Sequence, residues 1–225
     1  MGYDPREAIG LHVFVQSLIE HSSLPVELTV LTPKLSAELG IKSDGTNAFS
    51  KIRFAVPYLC NFKGFAIFAD GADMMLRKDL AELWLSRQAW YAASVVKHKY
   101  KPKPVKYVGT EMESPNEAYP RKNWSSLVLW SCSHYANRVL TPQFISQSPG
   151  ADLQRFKWIP DDRIGALDAS WNHIPQELTP NQDAKLVHFS LGIPGFAHYH
   201  HDEHAGEWHH HLKAISRGLQ ASERA

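Results

Sequence analysis

FAIFADGADMMLRKDLAELW, Phe65 to Trp84, joins an apolar strand, an aspartate pair and a capped helix start in twenty residues. Phe65-Ala66-Ile67-Phe68-Ala69 is an apolar run with the length and composition of a buried strand. It leads into Asp70-Gly71-Ala72-Asp73, two carboxylates just past the strand end. In open α/β sheets ligands bind in the crevice outside the carboxyl ends of the strands. Carboxylates there are hard oxygen ligands, suited to Mg²⁺ or Mn²⁺. The same spacing also describes a polar turn whose aspartates cap backbone N–H groups. Asp79 then reads as a helix N-cap, and Glu82 three residues later completes a capping-box pair.

Toward the N-terminus, Asp4 before Pro5 is a helix entry, and Ala8 to Glu20 is a helix with Leu11, Val15, Leu18 and Ile19 as its apolar stripe. Gly10 is tolerated inside it. Val26 to Leu31, VELTVL, alternates like a strand and stops before Pro33. The order turn, helix, strand is that of a βαβ unit whose first strand is clipped at Met1. Leu35 to Ser50 reads as a loop. In Lys51 to Leu59, Pro57 argues against a central strand and for a short interrupted helix. Lys51 and Arg53, just before the aspartate strand, are either a solvated face or phosphate contacts.

Toward the C-terminus, Ala89 to Lys97 and Trp124 to Cys132 read as strands, the latter with small Ser125 and Ser126 at its start. His98 to Lys106 interleaves lysines with Pro102 and Pro104, the pattern of an exposed ribbon that guards a sheet edge. Asp161-Asp162 precedes Ile164 to Leu167, and Trp171-Asn172 follows. Leu186-Val187-His188-Phe189 is a short strand. Its histidine is either a core residue or, beside carboxylates, a neutral imidazole ligand for a borderline ion such as Mn²⁺.

The 225 residues suffice for one sizeable core, and 44% hydrophobic with 21% charged residues excludes a disordered chain. A net charge of +1 makes no global case for a nucleic-acid partner. Cys60 and Cys132 cannot build a disulfide scaffold, so a reducing cytoplasm is the expected compartment. No apolar run approaches the ~18 residues of a membrane span. Residues 196–225 form a His-rich loop and a final helix, with Trp208, Leu212, Ile215 and Leu219 on one face. Seven of 13 histidines fall between His198 and His211, and His198, His200 and Asp202 raise an alternative, a zinc hydrolase.

Taken in order, a strand ending in an aspartate pair, D-L-A-E-L-W at Asp79 to Trp84, Trp171-Asn172, and His188-Phe189 followed by Gly192 and Pro194 resemble family 8 glycosyltransferases. The resemblance extends from Gly2 to Pro194. It implies a single GT-A-type α/β domain with a mixed, mostly parallel sheet flanked by helices. It implies metal ligation by Asp70, Asp73 and His188, with Mn²⁺ or Mg²⁺. It places Tyr3 and Asp4 at the nucleotide base, Gly192 in the loop over the diphosphate, and Lys51, Arg53 and Asp70 beside the donor. Asp161 or Asp162 falls near the carboxylate that faces the sugar. The implied activity is transfer of a sugar from a UDP-sugar donor to a glycan or lipid-linked acceptor, with retention. Contact of the final helix with the inner membrane face goes with a lipid-linked acceptor. The chain departs from the family in four places, the first being Asp161-Asp162, near the family's D-Q motif but without its Gln. Asp70 lies one residue further from Asp73 than the family spacing, Trp124-Ser125-Ser126 replaces F-N-A-G, and Ile193-Pro194-Gly195 replaces a lysine segment. These departures define a further alternative, a nucleotide-sugar-binding domain without efficient turnover.

Overall fold

The strands are β1 (Phe65–Ala69), β2 (Met74–Leu76), β3 (Ala93–Val95), β4 (Val105–Lys106), β5 (Ser114–Pro115), β6 (Leu127–Ser131), β7 (Ile164–Ala166) and β8 (Leu186–His188). The α-helices are α1 (Ala8–His21), α2 (Pro33–Glu38), α3 (Val56–Leu59), α4 (Leu80–Leu85), α5 (Pro142–Gln147), α6 (Gly150–Gln154) and α7 (Ala205–Gln220). The structure is a computed structural model and describes residues 1–42 and 47–220, with side chains to Arg217. Leu219 of the expected apolar helix face lies outside the described side chains.

The main sheet has the order β1-β6-β3-β7. β1 and β3 both pair antiparallel with β6, and β7 pairs parallel with β3, so three of the four strands run one way. The result is a single-domain α/β fold with a mixed, mostly parallel sheet. Every residue of β6 is buried, as befits a strand covered on both faces. The two-residue period divides its side chains. Val128 and Trp130 join Phe68, Val95, Phe54 and Phe156 in one core, while Leu127 and Leu129 join Ala69, Phe14, Leu83 and Trp171 in the other.

Asp4 caps a 3-10 turn, Pro5–Glu7, that leads into α1, and Asp79 caps α4 by accepting from the Ala81 N–H at 2.9 Å. The capping box is half made, because Glu82 turns its carboxylate to Lys185 at 2.7 Å. Two expectations are corrected. Val26 to Leu31 is not a strand: an apolar hollow of about 620 Å³ separates it from β1, and without a ladder partner only Leu31 pairs, in a parallel bridge with Gly2. The clipped first strand amounts to that bridge and a bond from the Gly2 N–H to the Ala69 carbonyl. The expected loop from Leu35 contains most of α2, which Thr32 caps through the Leu35 N–H with Pro33 at its first position.

β2 and β8 pair antiparallel, with Met74 opposite His188. α1 anchors β2, since the Leu76 N–H donates to Ser17 Oγ at 3.0 Å. α7 closes over α1, with Trp208 buried against Val13 and Met75.

Candidate functional site

The end of β1 delivers Asp70. The chain then turns at Gly71, whose φ of +65° is open to glycine at no steric cost, and enters β2 after Asp73. Gly10 of α1 lies directly beneath this turn, where a Cβ would overlap the Ala72 carbonyl oxygen. The β2–β8 register, together with a bond from the Phe189 N–H to the Asp73 carbonyl at 2.8 Å, sets His188 beside Asp73.

Asp70, Asp73 and His188 thus converge, one ligand atom from each lying within 4.8 Å of the others, and all three are buried. His188 Nε2 is 3.3 Å from Asp73 Oδ2 and 4.0 Å from Asp70 Oδ2. The other ring nitrogen, Nδ1, is 3.1 Å from Asn172 Oδ1. Asn172 Nδ2 donates to Ser126 Oγ at 2.8 Å and to the Asn123 carbonyl at 3.3 Å, so its Oδ1 must accept from His188. Nε2 then carries a lone pair toward a carboxylate. Asp73 Oδ1 is buried with no hydrogen-bond partner. Facing acceptors and an orphaned carboxylate oxygen are what a bound cation would satisfy. The donor set, two carboxylates and an imidazole, fits a divalent ion such as Mn²⁺ or Mg²⁺.

Arg53 answers the negative charge. Its Nη1 lies 2.8 Å from Asp70 Oδ1, and both side chains are 7% exposed. Burial nevertheless pushes the Asp70 carboxyl up to about 7, with Asp73 adding to the rise and Arg53 opposing it. The site opens into a cleft of about 570 Å³. Arg53, Lys106, Lys122 and Arg155 line it along with Asn123, Asp70, Asp73 and His188. Glu117 is a further acidic group on its wall.

Several other expected residues sit elsewhere. Asp4 is fully buried and structural: it pairs with Arg6 at 2.7 Å and accepts from the Ala48 N–H at 3.1 Å. Tyr3 is half-buried and does not line the cleft. Lys51 is buried and directs Nζ toward the Ser146 carbonyl at 3.5 Å. Gly192 has φ +148°, and a Cβ there would overlap the Tyr199 ring. Its carbonyl accepts from Gln176 Nε2 at 2.8 Å. Asp161 and Asp162 lie on an exposed 3-10 turn, paired with Arg121 at 2.6 Å and Arg163 at 3.4 Å, outside the cleft lining. Among the described residues, His198, His200 and Asp202 do not form a three-ligand group.

Glu7 has no signal in the sequence, and Lys106 belongs to the lysine ribbon 98–106, whose alternative reading is contact with an anionic acceptor. Glu7 is fully buried, with Oε1 unpartnered and Oε2 accepting from Tyr107 at 3.3 Å. Burial, reinforced by Asp73, holds its carboxyl well above the usual range. Nothing in the local sequence marks it, because its neighbour Tyr107 is 100 residues away. Lys106, on β4, has the sequence context of an edge-guarding ribbon, yet it lines the cleft.

The same fold occurs in glycosyltransferases. The bifunctional glycosyltransferase WbbM superposes with a TM-score of 0.67 at 13% identity over 94% of this chain, which spans about half, 48%, of WbbM. The galactosyltransferase LgtC, solved in complex with donor and acceptor sugar analogs, gives 0.57 at 10% identity over 95% of this chain and 94% of LgtC. Mouse xyloside xylosyltransferase 1 gives 0.55 at 12% identity over 86% of this chain and all (100%) of that one. The architecture is therefore a glycosyltransferase fold. No family model matches the chain. Protein CDI of Arabidopsis thaliana is 33% identical over 228 residues, covering 96% of this chain and 86% of CDI. The chain belongs to the Protein CDI family.

Proposed function

We propose that this protein transfers a sugar from a nucleotide-diphosphate donor, a UDP-sugar, to a glycan or lipid-linked acceptor, with retention of configuration. The observation that carries the proposal is the convergence of Asp70, Asp73 and His188 at the floor of a basic cleft. These three residues would hold Mn²⁺ or Mg²⁺, which when bound supplies Lewis-acid stabilisation of the departing diphosphate.

The chain's own residues do the rest. Arg53 favours the charged form of Asp70 against its burial. Asn172 keeps the His188 Nε2 lone pair free. Lys106 and Lys122 stand on the cleft wall. They are close enough for Lys106 to help lower Lys122 to about 8, second to burial. A diphosphate between them would relieve that repulsion. In this reading Lys106, on β4, takes the place of the lysine that Ile193-Pro194-Gly195 lacks. Asp4 acts as a positioning residue, fixing Ala48 beside cleft-lining Asn47. Asp161 and Asp162, exposed and paired with arginines, take no part.

The second reading, nucleotide-sugar binding without turnover, is favoured by the same Ile193-Pro194-Gly195 replacement. Calorimetry with UDP, with and without Mn²⁺, on the wild type and Asp73→Asn tests the site. Metal-dependent binding lost in the variant supports the donor site, and no binding by folded wild type overturns it. Donor hydrolysis or product formation with added acceptor then separates transferase from binder. Among the described residues no helix is long and apolar enough to cross a membrane. We place the reaction in the cytoplasm, with contact at the inner membrane face if the acceptor is lipid-linked.

A further inference from the structure

A second group of ligand-type side chains lies where the histidine-rich segment folds back, apart from the cleft. His173, Glu203 and His204 each direct one ligand atom to within 4.8 Å of the others. His173 and His204 are buried, and the Glu203 side chain is only 15% exposed. One carboxylate faces both rings. Oε2 is 3.1 Å from His173 Nε2, and Oε1 is 3.3 Å from His204 Nε2. Ligands bound to zinc at tetrahedral distances stand about 3.3 Å apart. The Asn181 carbonyl is a fourth ligand-type group, its oxygen 3.2 Å from His204 Nε2.

The hydrogen bonding around His204 is short of acceptable pairings. Its Nδ1 faces Glu207 Oε1 at 3.2 Å, and its Nε2 faces the Asn181 and Glu203 oxygens. A neutral imidazole has one hydrogen to donate, yet both nitrogens face acceptors, which either a second ring proton or a cation on Nε2 satisfies. A cation bound by Nε2, with Nδ1–H donating to Glu207, removes the mismatch and reproduces the carboxylate–histidine–metal arrangement. His204 also holds a φ of +65°, a left-handed backbone that costs free energy for a non-glycine residue. That conformation aims the ring into the group rather than along α7.

We infer that His173, Glu203 and His204 form a second, structural metal site for zinc or a similar borderline divalent ion. The ion would tie the start of α7 to residue 173. His173 is itself paired with β8: its carbonyl accepts from the His188 N–H at 2.7 Å. A second bond runs from the His173 N–H to the Leu186 carbonyl at 3.0 Å, so the site is coupled through two backbone bonds to the strand that carries His188. The inference does not depend on donor binding or sugar transfer.

Zinc itself is the probe. Equilibrium dialysis of the full chain against buffered Zn²⁺, followed by elemental analysis, is run on an Asp73→Asn background to silence the first centre. One tight equivalent is expected. It should be lost in Glu203→Gln and His204→Asn and retained in His200→Asn/His209→Asn, which removes a pair of rings whose centroids are 4.2 Å apart. Circular dichroism checks that each variant is folded. Retention of the tight equivalent in both Glu203→Gln and His204→Asn, its loss only in the His200/His209 variant, or no tight zinc at all overturns the inference. Should the variants not fold, anomalous diffraction from wild-type crystals with zinc decides: a peak between His173 and His204 supports the site, and density only elsewhere sinks it.

Discussion

The Nδ1 of His188 lies 3.1 Å from the Oδ1 of Asn172, and this contact leaves Nε2 as the ring's only free lone pair. Asn172 sits at the end of the 3-10 turn Ala169–Asn172, next to His173, which pairs with β8. Imidazole orientation is therefore built into the backbone pairing. Asn172→Ala should leave the fold intact and weaken Mn²⁺ binding by roughly 10–100-fold. Manganese titration followed by electron paramagnetic resonance measures it, and an unchanged affinity would remove Asn172 from the site.

Arg53 and Asp70 form a buried pair, and breaking it strands a carboxylate. Arg53→Met should cost about 3–5 kcal/mol at pH 8 by urea unfolding. The cost should shrink at pH 5. The folded Asp70 titrates at about 7 against an ordinary 3.8, so at pH 5 it is neutral and needs no partner. The raised value also carries a sign for the metal-free wild type. Asp70's contribution to stability is full below its ordinary pKa and is lost as pH rises through about 7. An equal cost at both pH values would show that Arg53 acts by packing alone.

Gly10 carries the Ala72 carbonyl directly above it. Gly10→Ala should destabilise by about 1–3 kcal/mol through overpacking and shift the Asp70–Asp73 turn. At Gly206 in α7 a Cβ would meet nothing within 4 Å, so Gly206→Ala is the matched control and should cost nothing. Thermal unfolding of the two variants side by side, with Mn²⁺ affinity as the second readout, tests the difference. Equal melting temperatures would mean the turn yields freely.

His98 is half-buried, and burial, with His188 and His173 adding, lowers its pKa to about 4. Its ordinary value is 6.5, so between pH 6.5 and 4 the unfolded chain binds a proton that the folded chain refuses. Stability from this group is present above 6.5 and is lost as pH falls, with a slope of up to about 1.4 kcal/mol per pH unit. His98→Gln should flatten that part of the profile, measured by urea unfolding at a series of pH values. A parallel profile for the variant would show that other groups cause the acid loss.

Elements with short-range signals were legible along the chain. The apolar run 65–69 forms β1, the helix read from Ala8 is α1, and Asp79 caps α4, because each depends on periodicity or on a cap within a few residues. The buried face of α1 differs from the expected stripe: Ile19 is exposed and Val15 half-buried, while Val13 and Phe14 join Leu11 and Leu18 inside. The aspartate pair at the strand end and His188 in its apolar strand are visible as residue types. Their convergence is not, because it rests on the β2–β8 register, which joins residues more than 100 positions apart. VELTVL shows the opposite failure. Its alternation is real, but a strand exists only where another backbone lies beside it. Gly10, merely tolerated by the helix pattern, is required by a carbonyl from another element. Asp4 and Lys51 lie buried, Lys106 faces the cleft, and the unmarked Glu7 is buried near them for the same reason: burial and charge partners are properties of the assembled chain. Pattern along the chain sets what each segment can form, and tertiary packing alone decides which polar groups meet at the floor of a cleft and which return to water.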